Sequence, residues 1–213
     1  MKHLILWIKM IIYYPSILLS LLHVRKDEPE LNQYTAKVIA TILMRLVRVK
    51  SEMTHINHIP LEDGHVFIAK YSNDYEAALV LSLMPVDLAF VFGLKSKQPY
   101  MKAWFKRIKS QFVDLEHYSF VLHDDLLNEI KHVSKNLFVF VNDKTSLVND
   151  SFYHYCQAHQ KTIIPVCFDK TQDIMVKGYF HTTKVDIRLP LHHEEYREYS
   201  IEELKHEIQV RMS

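Results

Sequence analysis

The sequence predicts an α/β fold in which a mostly parallel sheet is flanked by helices. From residue 49 onward, short continuous apolar runs alternate with helical patterns, which is typical of strands that are buried on both faces. The composition agrees, since 48% of the residues are hydrophobic and 24% are charged, the usual balance of a globular chain. A length of 213 residues allows one α/β domain with a sizeable core.

Six apolar runs are the candidate strands, and helices are predicted between them. The strand candidates are 66–69, 88–92, 111–114, 137–141, 162–168 and 184–189. The helices are predicted at about 74–84, 99–108, 122–134 and 149–159, and a final helix follows. Ser200 and Glu203 form a capping box at the start of that final helix.

The N-terminal 50 residues combine apolar and basic character. Residues 4–22 form a long apolar run, in which Lys9 and Pro15 argue against a clean membrane span. Residues 31–48 form a second helix, with Val38, Ile39, Ile42, Leu43, Leu46 and Val47 on one face. The 50 residues carry eight Lys and Arg against three acidic residues, a balance that favours a membrane surface.

We therefore predict two units in the chain. Residues 1–50 are interpreted as a helical hairpin that faces a membrane, and residues 51–213 as the α/β domain. The expected location is the cytoplasmic face of a membrane. The alternative is a soluble protein in which the two N-terminal helices are a core helix and a surface helix.

Composition excludes several classes of function. A formal net charge of +1 argues against a generic nucleic-acid binder, and three glycines in the whole chain exclude phosphate-binding glycine-rich loops. Cys156 and Cys167 fit neither a disulfide framework nor a zinc spacing, so both are predicted to be reduced core residues. The run from His192 to Glu195 is interpreted as a surface loop. No metal site and no cofactor are predicted.

Several motifs occur in a recognisable order. His55-Ile-Asn-His58-Ile-Pro60 precedes the first strand, Lys97-Gln98-Pro99 follows the second, and the helix around 151–160 leads into Thr162-Ile-Ile-Pro-Val166. With the N-terminal hairpin, this layout resembles the glycerolipid acyltransferase family, typified by the bacterial 1-acylglycerol-3-phosphate acyltransferase, over nearly the whole chain. The resemblance implies an acyltransferase-like fold and acyl transfer from an acyl-carrier thioester to a glycerol hydroxyl.

The resemblance also locates the catalytic positions. In the family, the first strand ends in Asn-His-x-Ser-x-x-Asp, where the His is the general base and the Asp orients it. This chain has Lys70-Tyr71-Ser72-Asn73-Asp74-Tyr75-Glu76, which puts Tyr71 at the base position and Glu76 at the carboxylate position. A phenol has a pKa of about 10 and is a poor base at neutral pH. Glu76 also has a structural interpretation, as the N3 partner of an N-cap Asn73.

Two further family motifs are incomplete. The family's Ile-Asp-Arg corresponds to Val113-Asp114-Leu115, which keeps the carboxylate and lacks the cation. The family's Phe-Pro-Glu-Gly-Thr-Arg-Ser corresponds to residues 140–146, where Lys144 either holds a phosphate as a point charge or is a solvated loop lysine. The substrate-binding positions that the resemblance implies are Lys70, Asp114, Lys144, Thr145 and Ser146.

Two literal His-x4-Asp strings occur elsewhere in the chain. They run from His58 to Asp63 and from His181 to Asp186. Neither lies at a predicted strand-to-helix turn, so both are interpreted as chance pairs.

The motifs predict a membrane-associated protein of the phospholipid/glycerol acyltransferase family with lost or altered acyl transfer and a role in binding lipid or a protein partner. The alternative is a divergent working 1-acylglycerol-3-phosphate O-acyltransferase of phospholipid biosynthesis. The implied partners are membrane lipids and an acyl donor, either an acyl-carrier protein or a CoA thioester. Apolar residues of the central strands and first helix are expected either to line an acyl slot or to fill the core. They are Phe67, Ile68, Leu79, Leu83, Phe90, Phe92, Phe138, Phe140, Ile164 and Val166.

Overall fold

Helices and strands alternate along the described part of the chain. The structure, a computed structural model, describes residues 29–46, 49–60, 64–71, 75–93, 111–113, 136–142, 150–169, 171 and 181–213. The strands are β1 (Val49–Thr54), β2 (Val66–Tyr71), β3 (Leu88–Gly93), β4 (Gln111–Val113), β5 (Asn136–Asn142), β6 (Ile163–Asp169) and β7 (His181–Ile187). The helices are α1 (Pro29–Leu46), α2 (Tyr75–Leu83), α3 (Asp150–Ala158), α4 (His193–Tyr196) and α5 (Ile201–Met212), with a 3₁₀ turn at Ile56–His58. The predicted helices at 99–108 and 122–134 and the apolar run 4–22 lie outside the described residues.

The described strands form one mixed sheet in the order β1-β7-β6-β2-β5-β3-β4. The neighbours from β6 to β4 all run parallel to one another. The prediction of a mostly parallel sheet is confirmed for these five strands. At the other side, β7 runs antiparallel to β6, and β1 runs parallel to β7. The β1–β7 pair therefore reverses the direction of the sheet, which the sequence did not indicate.

Five of the six predicted strands are confirmed within two residues of each end, one is displaced, and one observed strand was not predicted. The segment Val49–Thr54 was not predicted as a strand, because its sequence is mostly polar and its apolar side chains are only half-buried. The last strand occupies His181–Ile187 rather than 184–189, because Leu189 is 62% exposed and Pro190 follows it.

Aromatic side chains fill the centre of the sheet on one face. Phe67, Phe138 and Phe90 occupy one rung across β2, β5 and β3, and all three are fully buried. The ring centroids of Phe138 lie 6.0 Å from Phe67 and 5.6 Å from Phe90. Among the apolar residues expected to line a slot or fill the core, eight are buried in the two core clusters, with Ile68 on the face opposite to the others, and Leu83 is partly buried against the first cluster. These buried residues pack as core.

Helix α1 packs on the α/β domain. Its buried residues Ala36, Ile39, Ala40 and Met44 belong to the same core cluster as α2. The helix begins at Pro29 and ends at Leu46, close to the predicted 31–48. Val38 was placed on the apolar face and is instead 39% exposed. The assignment of residues 1–50 to a membrane hairpin stays a prediction.

Local predictions at the C-terminal end are confirmed. Ser200 caps α5, since its Oγ accepts from the backbone N–H of Glu203 and its own N–H donates to the Glu203 carboxylate at 2.7 Å.

Both cysteines are free thiols, and burial raises the pKa of the Cys156 thiol. Cys167 is only half-buried, so the expectation of a core position holds fully for Cys156 alone.

Candidate functional site

The candidate site lies at the carboxyl edge of the parallel strands. β2 and β6 are neighbours, with Ala69 opposite Val166, so both strands end at the same edge of the sheet. Ligand sites of open parallel sheets occur outside this edge. β2 ends on Lys70, whose side chain is exposed, and Tyr71. The predicted base position is therefore the last residue of a central strand.

Helix α2 places a carboxylate at this edge. Its sequence Tyr-Glu-Ala-Ala-Leu-Val-Leu-Ser-Leu is apolar almost all round, as is typical of a buried helix. Glu76 is the second residue of α2 and is fully buried. The hydroxyl of Thr171, two residues after the end of β6, donates a hydrogen bond of 2.5 Å to Glu76 Oε1. Glu76 is therefore a buried carboxylate in the first turn of α2, at the sheet edge.

The sequence-predicted residues fall into two groups. Lys70, Tyr71 and Glu76 belong to the carboxyl edge of β2 and the start of α2. Asp114, Lys144, Thr145 and Ser146 lie outside the described residues, as does Asn73, the suggested N-cap partner of Glu76. Thr171 was missed, because its contact with Glu76 joins positions 95 residues apart and no local pattern marks it.

The chemistry of this edge follows from its residue types. A buried carboxylate can orient a base or hold a proton, and burial strengthens both effects because the local dielectric is low. A phenol at the base position supplies little general-base catalysis near neutral pH. The described part of the edge therefore holds one buried carboxylate, Glu76, beside a strand that ends on a tyrosine.

The Thr171 hydroxyl should stabilise the folded chain through Glu76. Replacing Thr171 by valine keeps the shape and removes the donor to a buried carboxylate, so we expect a loss of about 1.5–3 kcal/mol in the free energy of unfolding. Urea unfolding of the full chain in mild detergent measures it. Thr171→Ser keeps the hydroxyl and is the matched control. Equal losses in the two variants would show that the hydrogen bond contributes little.

Two other sequence features have structural roles in the described residues. The backbone N–H of His192 donates to Glu195 Oε1 at 3.1 Å, which opens the short helix α4. The His192–Glu195 run is thus a helix start and not a loop. Asp186 Oδ1 lies 2.6 Å from His55 Nδ1, and Nδ1 of His58 lies 2.9 Å from the carbonyl oxygen of Ile187.

Among the helices that the structure describes, none is long and apolar enough to cross a membrane. In the same residues, no group of three or more His, Cys, Asp or Glu side chains could hold a metal ion.

The sheet order and the helix at its carboxyl edge define an open α/β fold. No family model matches the chain, and no curated protein matches its sequence. The structure is similar to that of the 1-acyl-sn-glycerophosphate (LPA) acyltransferase PlsC from Thermotoga maritima, with a TM-score of 0.67 over 97% of this chain and 90% of that chain. The two sequences are 15% identical. The likeness establishes the fold and agrees with the resemblance drawn from the motifs.

Proposed function

We propose that this protein is a membrane-associated, acyltransferase-like protein that binds acyl lipids and has lost acyl transfer. The observation that carries the proposal is the end of β2. Tyr71 is the last residue of that strand, and by the motif resemblance it corresponds to the family's general base. A positioned base is worth roughly 10²–10⁴ in rate, and a phenol provides little of this.

Two further features support the loss of catalysis. In the sequence, Leu115 stands in place of the family's phosphate-binding Arg, and Asn142-Asp143 in place of its Glu-Gly turn. Base, cation and turn contribute to different parts of the barrier, namely proton transfer, orientation and charge stabilisation. The apolar frame of the sheet is intact, as the fully buried row Phe67, Phe138 and Phe90 illustrates.

The membrane and lipid parts of the proposal have separate supports. The net basic, apolar N-terminus suits a membrane surface. The fold is that of a protein described as an LPA acyltransferase, and we extend to this chain the class of ligand, an acyl lipid.

Acyl transfer by the purified full chain tests the proposal. With lysophosphatidate as acceptor and either acyl-CoA or acyl-carrier protein as donor, we expect no turnover above the protein-free reaction. Lipid extraction followed by mass spectrometry should find phospholipid or fatty acid bound to the same preparation. A lipid-free, stable protein would contradict lipid binding.

A divergent working enzyme is the second candidate, and the Glu76–Thr171 pair favours it. A fully buried carboxylate held by a hydroxyl at the sheet edge is the part of a base-and-orienter pair that this chain retains. Turnover that disappears in Tyr71→Phe and persists in Tyr75→Phe would establish this candidate and overturn the first. Tyr75 is a suitable control because it is the first residue of α2 in the same segment.

A further inference from the structure

Helix α1 has a second apolar face, on the side away from the core. Tyr34, Val38 and Ile42 follow one another at intervals of four residues, so the helical period places them in one row. Tyr34 is 67% exposed and Val38 is 39% exposed, and Ile42 is half-buried. The core residues of α1 lie on the opposite face. Helix α1 therefore carries apolar side chains on both of its faces.

The exposed row differs from the scattered apolar side chains that most protein surfaces carry. Six large hydrophobic side chains are exposed among the described residues. Tyr34 and Val38 are the only two of these six that lie one helical turn apart. Single exposed apolar residues are normal, whereas a contiguous patch marks a contact with another molecule or with a membrane.

The stretch of sequence that carries this row has only basic charges. Residues 31–50 contain four Lys or Arg residues and no Asp or Glu. Lys37 and Lys50 form ion pairs with residues of other segments or of β1, and Arg45 is exposed in the last turn of α1. A row with a tyrosine at one end and a cation at the other is typical of a helix at a lipid–water interface.

The other side of the sheet carries the opposite charge. Helix α5 packs in the core cluster on the face of the sheet opposite to α1. Residues 186–213 hold seven acidic against four basic residues, and Glu194, Glu198 and Glu202 are among the exposed ones. A bilayer with anionic lipids attracts cations and repels carboxylates. The charge asymmetry thus favours α1 toward such a bilayer and α5 away from it.

The apolar run of the sequence brings α1 near the bilayer that would hold that run. Residues 23–28 join the run 4–22 to Pro29, where α1 begins. Seven residue steps reach at most about 25 Å in an extended chain. The start of α1 is therefore limited to this distance from the inserted run, and Tyr34 follows within two helical turns of it.

We infer that the outward face of α1, formed by Tyr34, Val38, Ile42 and Arg45, lies on the surface of an anionic phospholipid bilayer. The inference rests on the proposed membrane association and adds its orientation: α1 lies along the bilayer, and α5 faces water on the far side of the sheet. It also divides the apolar face that the sequence predicted for this helix. Ile39 of that face packs in the core, and Val38 and Ile42 belong to the outward row.

This contact is expected to orient the protein rather than to hold it on the membrane alone. Three apolar side chains, of which Val38 and Ile42 are already partly covered by the protein, bury much less apolar area than the run 4–22. Apolar burial is roughly proportional to the area removed from water. The run therefore supplies most of the attachment, and α1 determines which side of the domain faces the lipid.

Fluorescence quenching of the full chain on vesicles is the primary measurement. In a Cys167→Ser background, Tyr34→Cys and Val38→Cys place a fluorescent label on α1, and His206→Cys places it on α5, where His206 is exposed. Cys156 stays in place because it is fully buried. The vesicles consist of phosphatidylcholine and phosphatidylglycerol with a nitroxide-labelled phosphatidylcholine as the quencher.

We expect the nitroxide lipid to lower the emission of both α1 labels at least about twofold, because interfacial helices bury their apolar face by about 5–10 Å. The emission of the α5 label should not change. Flotation of the same samples separates this inference from the proposed function. A chain that does not float with the vesicles would contradict the membrane association and the orientation together. A chain that floats, with α1 labels quenched no more than the α5 label, would overturn the orientation alone.

A second measurement uses the unmodified protein and so does not depend on the folding of any variant. N-acetylimidazole, a water-soluble reagent, acetylates accessible tyrosine hydroxyls, and peptide mass spectrometry locates the products. Exposure alone predicts faster acetylation of Tyr34, at 67%, than of Tyr199, at 37%. For vesicle-bound protein we expect the reverse order, because the bilayer covers Tyr34. Faster acetylation of Tyr34 on vesicles would overturn the contact. Slow acetylation of Tyr34 without quenching of the α1 labels would indicate a second protein chain on this face and would overturn it as well.

Discussion

Replacing Phe138 by alanine is expected to lower the free energy of unfolding by about 3–5 kcal/mol. Phe138 is fully buried on the central strand β5, between Phe67 of β2 and Phe90 of β3 on the same rung. Its ring centroid is also 4.8 Å from that of Phe140. Alanine would therefore remove a ring that three other aromatic side chains contact, and strand backbones on both sides limit collapse of the cavity.

Urea unfolding of the full chain in mild detergent measures this loss. Tyr34→Ala is the matched control, because it deletes an aromatic ring that is 67% exposed on α1. The control should change stability by no more than about 0.5 kcal/mol. Similar losses in the two variants would mean that the aromatic row is not the centre of the core.

Removing residues 1–28 is expected to move the protein from the membrane fraction to the soluble fraction. Apolar burial in lipid is worth about 0.8 kcal/mol per CH₂, and residues 4–22 are the long apolar run of the sequence. The deletion should stop before α1, because Ala36, Ile39 and Met44 of that helix are part of the domain core. Sedimentation of membranes from cells that express each form measures the distribution.

Two comparisons separate apolar from electrostatic attachment. In 1 M salt the Debye length is about 3 Å, so charge attraction is screened, and the intact protein should stay with the membranes. Arg25→Ala with Lys26→Ala removes charge and keeps the apolar run, and this variant should also stay. Complete release of the intact protein by salt would contradict the predicted hairpin and leave an electrostatic attachment.

The parallel part of the fold could be predicted from sequence because its signals are local. The runs that form β2, β5 and β6 are continuous and apolar, and Ser200 with Glu203 marks the start of α5 within four residues. The direction of β7 could not be predicted in this way. Pairing direction depends on which strand lies beside it, and β7 has a parallel neighbour on one side and an antiparallel neighbour on the other.

The candidate site could be predicted only in part, for the same physical reason. Tyr71 and Glu76 follow from one short segment that resembles a family motif. The donor to Glu76 comes from Thr171, 95 positions away, and the partner of His55 is Asp186, 131 positions away. Neither contact leaves a periodic or spaced pattern in the sequence.

The pairing of β1 with β7 also means that the sheet cannot be completed until most of the chain has been synthesised. Thr54 of β1 and Asp186 of β7 are 132 residues apart, which a ribosome takes roughly 7–26 s to synthesise. Over that interval β1 has no β7 to pair with, and an unpaired strand can pair with another chain. Lys50 and Glu52 are exposed and form an ion pair of 3.1 Å, and charges of this kind discourage such pairing. We therefore expect the charges of β1 to discourage pairing with other chains before β7 is made as well as in the folded sheet.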